Sequence, residues 1–132
     1  MKTLICQVFA CFMLLSVSII ASAQMDELKN STPEQRAEMQ TKWMTSNLAL
    51  DAKAGASVSA INLKYAKETQ ALVNSDSPKF QKLQSFRKNS QAKDAELKSV
   101  FTPEQYTLYE QKKSEMQAQL KQKIAEKHQV AQ

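Results

Sequence analysis

Apolar side chains recur at steps of three, four and seven residues along four stretches of this chain, which predicts four amphipathic helices and an all-α fold. The helices are predicted from 32 to about 48, from 51 to about 73, from 77 to about 100 and from 102 to about 124. The positions predicted to lie on their buried faces are Met39, Trp43, Met44, Val58, Ile61, Tyr65, Leu72, Val73, Phe80, Leu83, Phe86, Leu97, Tyr106, Tyr109, Met116, Leu120 and Ile124.

Each predicted helix begins at a residue that can cap it. Thr32-Pro33-Glu34-Gln35 opens the first helix, and Thr102-Pro103-Glu104-Gln105 opens the fourth with the same four residues. In both copies we expect the Thr hydroxyl to accept from a free amide, Pro to occupy the first position and Gln to reach back and complete a capping box. Asp51 is the predicted cap of the second helix, and Ser77, followed by Pro78, is that of the third.

The N-terminal segment has the pattern of a secretory signal peptide. Lys2 supplies a positive start, residues 4–21 are almost wholly apolar, and Ala21-Ser22-Ala23 is a small-x-small cleavage site. We therefore expect cleavage before Gln24 and export of the remainder, with an uncleaved membrane anchor as the alternative. The predicted organisation is a signal peptide at 1–23, a polar lead-in at 24–31, a helical domain at 32–126 and a fraying polar tail at 127–132.

Removal of the signal peptide changes the composition of the chain that folds. Cys6 and Cys11 are lost, so no disulfide can form, and the loss of one Lys leaves 17 basic against 13 acidic residues, or +4. Leu, Ile, Val and Phe make up 18 of the remaining 109 residues, below the roughly 20% at which a core becomes hard to build. Such a thin core predicts that the chain oligomerises and that part of its apolar surface stays accessible.

Several classes of chemistry have no residues to support them. One Gly excludes a Gly-rich phosphate loop, and the cleaved chain has no Cys and a single His, His128, in the predicted tail. No paired carboxylates stand at a spacing suited to acid–base catalysis, so we expect no enzyme, no catalytic residue, no metal site and no cofactor. Basic residues are diluted by acidic ones, which argues against nucleic-acid binding, and no second membrane span is predicted.

The repeated motif resembles the paired Leu-Thr-x-x-Gln motifs of the Spy/CpxP-like family of periplasmic proteins. Both copies keep Thr and Gln, at Thr32 and Gln35 and at Thr102 and Gln105, and both lack the leading Leu. The resemblance covers roughly residues 31–124. Leu50-Asp51-Ala52-Lys53-Ala54 stands where many relatives carry another copy of the motif, but it keeps only the Leu. The segment Ile61-Asn62-Leu63-Lys64-Tyr65-Ala66 is also typical of relatives in this family.

This resemblance implies a thin, curved architecture of antiparallel helical hairpins and a cradle-shaped homodimer. It also implies an ATP-independent periplasmic holding chaperone or envelope-stress protein, whose partners are unfolded or partly folded exported proteins or the exported domain of a stress sensor. A basic, partly apolar surface would suit weak binding of such clients. The candidate client-binding residues are Met39, Met44, Lys64, Lys67, Lys82, Arg87 and Met116.

Two other classes of function stay open at this point. Some relatives are metal-responsive or signalling-regulatory proteins, and a regulatory role needs no special residues beyond a binding surface. The heptad-like steps of the second and fourth predicted helices also allow a structural coiled-coil adaptor with one defined partner.

Overall fold

In a computed structural model of the protein, residues 30–130 are described, apart from the side chains of Lys127 and His128. The predicted signal peptide, residues 24–29 of the lead-in and the last two residues of the predicted tail lie outside this part. The described chain forms four helices and contains no strand, which confirms the all-α fold. The helices are α1 (Pro33–Asn47), α2 (Ala52–Asn74), α3 (Lys79–Val100) and α4 (Pro103–Val130). None of them combines the length and the apolar character that crossing a membrane would require.

Capping fixes the starts of three helices as predicted. The Thr32 hydroxyl accepts from the Gln35 amide at 3.1 Å, and the Gln35 side chain accepts from the Thr32 amide at 3.1 Å. Thr102 and Gln105 form the same reciprocal pair at 3.0 and 3.2 Å. The Asp51 carboxylate accepts from the Ala54 amide at 2.7 Å and starts α2. Each cap satisfies a donor that the helix itself cannot pair.

The start of α3 differs from the prediction. The structure places Pro78, not Ser77, at the N-cap position, and no side chain caps this helix. Pro78 has extended backbone angles (φ −56°, ψ 147°), so the helix begins one residue later and the Ser77 hydroxyl is too far back to act as its cap. The first turn of α3 also lacks an acidic residue, which leaves its positive end uncompensated.

The helices pack as successive antiparallel hairpins, with α2 against both α1 and α3. The α4 helix starts beside the C-terminal end of α3 and then crosses onto α1, where the Trp43 indole donates to Gln119 Oε1 at 3.1 Å. One apolar core lies where the four helices meet. Its buried members are Trp43, Met44, Leu48, Leu50, Val58, Leu97, Phe101, Tyr109, Met116 and Leu120.

The predicted buried face of α3 is only partly buried. Leu97 is fully buried, but Phe80 and Leu83 are 73% and 48% exposed, so their assignment to the core was wrong. Phe86 is half-buried. The physical reason is that α4 covers only the C-terminal half of α3 before it crosses to α1, and α2, which packs along another side of α3, leaves Phe80 and Leu83 exposed.

The fourth helix is longer than predicted. It continues to Val130, six residues beyond the expected end at Ile124, and nothing in the helix marks the boundary drawn after residue 126. The residues after Ile124 include Ala, Glu, Lys and Gln, which have high helix propensity, and neither Gly nor Pro. Local propensity therefore extends the helix although the segment has few apolar side chains.

A tight corner joins α1 to α2. Ala49 adopts a left-handed conformation with φ 50°, and the Leu50 amide donates to the Thr45 carbonyl at 3.3 Å. This is the hydrogen bond of a Schellman-type helix ending, in which Gly is the usual left-handed residue. The turn directs Leu50 into the core immediately before Asp51 begins the next helix.

Candidate functional site

The two copies of the Thr-Pro-Glu-Gln motif act as helix starts, and the second has an additional role. Gln105 Oε1 accepts from the Thr102 amide, while Gln105 Nε2 donates to the Leu48 carbonyl at the end of α1, at 3.2 Å. One side chain therefore joins the start of α4 to the end of α1. Within residues 30–130, the hydrogen bonds of Gln35 are those of its own capping box. The glutamine amide accepts through its oxygen and donates through its nitrogen, whereas an ionised carboxylate in the same place can only accept.

We expect Gln105→Glu to destabilise the protein by about 1–2 kcal/mol, because a carboxylate keeps the capping box but cannot donate to Leu48 and places its charge against a carbonyl oxygen. Gln35→Glu is the matched control and is expected to change stability by less than about 0.5 kcal/mol, since an acidic residue is favourable in the first turn. Urea denaturation followed by circular dichroism measures both. Equal effects of the two substitutions would show that the bond to Leu48 contributes nothing.

The acidic residues of the two motifs lie at the surface. Glu34 is exposed and lies 3.6 Å from Lys67 Nζ, whereas Glu104 is exposed in the first turn of α4. Both carboxylates stand at the positive ends of their helices, where a negative charge is favourable. The motif residues thus stabilise local structure and do not converge on a common site.

Two of the three methionines predicted to bind clients are buried in the structure. Met44 is 0% exposed and Met116 is 3% exposed, and both belong to the core. Met39 is half-buried and packs against the same core. Flexible methionines would suit a client surface only if a client could reach them, so Met44 and Met116 cannot serve in this role while the chain is folded.

The four candidate basic residues lie at or near the surface, but three of them already have partners. Lys64 contacts the Glu96 carboxylate, and Lys67 lies near Glu34. Lys82 Nζ donates to the Val73 carbonyl at 3.0 Å and so helps to close the α2–α3 turn. Arg87 is exposed, and no carboxylate in residues 30–130 forms an ion pair with it.

The Lys64–Glu96 contact perturbs the titration of its members. The hydrogen bond from Lys64 lowers the pKa of Glu96, and the same bond raises the pKa of Lys64. Tyr65 also donates to Glu96, at 2.7 Å, and burial together with this bond raises the pKa of its phenol. The cluster links α2 to α3 at the surface, and an exposed ion pair of this kind contributes little to stability.

A second polar cluster lies deeper, between α1, α3 and α4. Asp94 accepts from the Tyr109 hydroxyl at 2.9 Å and from Lys113. Lys93, next to Asp94 on α3, donates to Gln40 on α1. Burial lowers the pKa of Lys93 to about 8, and the neighbouring Lys113 charge acts in the same direction, while Asp94 opposes them. Burial and the Asp94 charge raise the pKa of Tyr109.

A surface on the N-terminal half of α3 contains the predicted candidate Arg87 together with two exposed apolar residues that the sequence analysis had assigned to the core. Phe80, Leu83 and Arg87 follow at steps of three and four residues, share one side of the helix and are exposed; we call these three residues the open stripe. No acidic residue occurs from 77 to 93, which leaves this half of α3 strongly positive. Further basic residues on the same turns are Lys79, Lys82 and Lys88.

The sequence did carry a signal for this surface. Four basic residues and no acidic residue surround Phe80 and Leu83, so this apolar pair lies in a region of positive charge. An exposed pair of large apolar residues within a field of one charge is typical of a surface that binds a partner. The open stripe is therefore the candidate functional site. In the part of the chain that the structure describes, no group of three or more His, Cys, Asp or Glu residues could hold a metal ion.

Comparison with known families finds one match. The profile of a family described as a domain of unknown function, DUF4890, matches residues 21–109. Within the described residues this region contains α1, α2, α3, both copies of the Thr-Pro-Glu-Gln motif and the start of α4 as far as Tyr109. The open stripe lies inside it. Neither a curated protein nor a solved structure matches the chain.

Proposed function

Because the chain belongs to the DUF4890 family, whose function is unknown, we propose its function from the surface it exposes: an ATP-independent holding chaperone of the periplasm. In this proposal the chain is exported by the predicted signal peptide and binds unfolded or partly folded exported proteins. The similarity to Spy/CpxP-like proteins belongs to the same proposal and is supported by the two motif copies, each of which forms a capping box.

The observation that carries the proposal is the open stripe. Phe80 and Leu83 are large apolar side chains that the fold leaves in solvent, although a chain with so few of them would gain stability by burying both. Unfolded proteins expose apolar segments, and a contact with only two or three such side chains is weak and reversible. Such binding suits a protein that must release its clients without a source of energy.

Charge supports the proposal by setting the rate of encounter. The basic residues on the same turns of α3 attract acidic segments over several ångströms before any contact forms. This attraction is screened by salt over about 8 Å at physiological ionic strength. The holding activity is thus expected to weaken as salt is added, more strongly for acidic clients than for neutral ones.

The test is suppression of aggregation without ATP. A chemically reduced, acidic client is followed by light scattering, and a several-fold molar excess of the processed protein is expected to delay or abolish its aggregation. The double variant Phe80→Ser/Leu83→Ser should lose most of this effect while it keeps the helical circular dichroism spectrum, because both side chains are exposed. Val130→Ser removes an exposed apolar side chain far along α4 and is the matched control.

Two outcomes would contradict the proposal. Aggregation that proceeds unchanged at a several-fold excess of the wild-type protein would exclude a holding activity towards this client. Equal suppression by the wild type and by Phe80→Ser/Leu83→Ser would exclude the open stripe as the binding surface. The homodimer and the sensor partner remain predictions of the sequence analysis.

A further inference from the structure

The open stripe is one half of a longer seam along α3. Residues that share one side of the helix follow at alternating steps of three and four, which is the spacing of the a and d positions of a coiled coil. This spacing continues without interruption from the exposed half of the helix into the buried half. The residues of the seam are Phe80, Leu83, Arg87, Ser90, Asp94, Leu97 and Phe101.

A helix already occupies the C-terminal half of this seam. Tyr109 of α4 donates to Asp94 and lies beside Phe101, with ring centroids 5.7 Å apart. Lys113, one turn further along α4, also contacts Asp94, and Leu97 is fully buried in the core. This half of the α3 seam therefore binds a helix within the same chain, through apolar contacts reinforced by charge.

The N-terminal half of the seam is open because α4 leaves it. If α4 stayed in the antiparallel register set by Asp94, Ile124 would lie beside Phe80 and Leu83. Instead Phe80 is largely exposed while Ile124 is only 4% exposed, so the two do not cover one another. The hydrogen bond from the Trp43 indole to Gln119 holds this part of α4 against α1 instead.

The positive charge of α3 determines which kind of partner can bind the exposed N-terminal half of the seam. Two copies of the open stripe placed against each other would bring together Arg87 and its basic neighbours from both chains, and such like-charge contacts oppose a symmetric dimer through this face. An occupant with carboxylates beside its apolar residues would instead neutralise the basic residues of α3. The positive end of α3, which has no acidic residue in its first turn, adds to the same preference.

We propose that the open stripe receives an amphipathic helix with acidic flanks, supplied by the client, which continues the seam that α4 fills further along α3. This inference rests on the proposed holding function and narrows its substrate class to client segments that can become helical. Apolar client residues at steps of three and four would contact Phe80 and Leu83, and client carboxylates would face Arg87 and the neighbouring lysines.

The experiment compares two labelled peptides with the same composition and net charge. One carries Leu at steps of three and four with Glu on its flanks, over about five turns or about 18 residues; the other alternates the same Leu and Glu residues and favours a strand. Fluorescence anisotropy at low salt is expected to show at least about tenfold tighter binding of the first peptide. Circular dichroism is expected to show a gain of helix when that peptide binds.

Matched variants locate the binding. Phe80→Ser/Leu83→Ser should weaken binding of the helical peptide by about tenfold or more, and Val130→Ser should leave it unchanged. A third peptide, in which Lys replaces every Glu of the helical peptide, should not bind, because its charge opposes that of α3. These three results together would support a helical, acidic occupant of the open stripe.

The remaining outcomes overturn the inference in distinguishable ways. Equal binding of the two acidic peptides, or suppression of client aggregation without binding of either, would overturn the helical preference and leave the holding function in place. If neither peptide binds and the protein does not suppress client aggregation, both proposals are overturned. Binding to vesicles of anionic phospholipid that Phe80→Ser/Leu83→Ser abolishes, with no binding of either peptide, would assign the stripe to a membrane surface instead.

Discussion

Leu97→Ala is expected to lower the free energy of unfolding by about 3 kcal/mol, whereas Leu83→Ala is expected to change it by less than about 0.5 kcal/mol. Both substitutions remove the same atoms from the same helix, so the intrinsic helix propensity changes alike. They differ in surroundings: Leu97 is fully buried among core side chains, and Leu83 is about half exposed. Loss of the buried side chain leaves a cavity that the packed helices fill only in part.

Thermal denaturation followed by circular dichroism measures this difference. For a domain of this size, 1 kcal/mol corresponds to roughly 4–8 °C in Tm, so a difference of about 2.5 kcal/mol means that Leu97→Ala is expected to melt at least about 10 °C below Leu83→Ala. A variant that is already unfolded at 25 °C would agree with the prediction, because the core is small. Equal melting temperatures would show that the N-terminal half of α3 is as well packed as the C-terminal half, and would remove the basis for the open stripe.

Stability is expected to rise with pH between about 8 and 10 because of Lys93. Its pKa is about 8 in the folded chain and near 10.5 when unfolded, so within this window the unfolded chain binds the additional proton. The free energy of unfolding increases with pH wherever the unfolded state binds more protons. Each pKa unit corresponds to about 1.4 kcal/mol, and because Lys93 is only half-buried we expect a gain on the order of 1–2 kcal/mol.

The variant Lys93→Met isolates this effect. When its free energy of unfolding is subtracted from that of the wild type at each pH, the contributions of the other titrating groups cancel. Among these, Tyr109 has the opposite sign: its raised pKa means that the folded chain retains the phenol proton above pH 10, and stability falls there. The Lys93→Met profile should be flatter from pH 8 to 10, and the variant should be more stable than the wild type at pH 7. Lys88→Met, which removes an exposed lysine from the same helix, is the control for net charge. Identical slopes in the wild type and in Lys93→Met would show that Lys93 stays protonated throughout.

The helix starts could be predicted from the sequence because capping is local. Thr32 and Thr102 bond to residues three positions away, and Asp51 does the same, so a few residues determine each start. Ser77 failed as a cap because its placement depends on the conformation of the following proline, which shifted the helix by one residue. The extension of α4 was missed because a thin apolar pattern was interpreted as fraying, although propensity alone keeps those residues helical.

The burial of individual side chains could be predicted less well. Hydrophobic periodicity shows which face of a helix is apolar, but it does not show whether another helix packs against that face. Phe80, Leu83 and Leu97 share one pattern, yet only Leu97 is buried. The difference depends on where α4 turns towards α1, which involves contacts such as that of Trp43 with Gln119, 76 positions apart in the chain. Met44 and Met116 show the converse: their chemistry suits a binding surface, and their position puts them in the core.

Gln105 has a mechanical consequence for the molecule. Its one amide group touches both the corner where α1 ends, at Leu48, and the corner where α4 begins, at Thr102. A displacement of either corner must stretch or break a bond to the same side chain, so the two corners are coupled and should open together. The opposite end of the bundle, where α2 turns into α3, has no such tie to Gln105. Loosening at the Gln105 end would therefore weaken the contact between the start of α4 and the end of α1, without breaking any bond within the hairpin that carries Phe80 and Leu83.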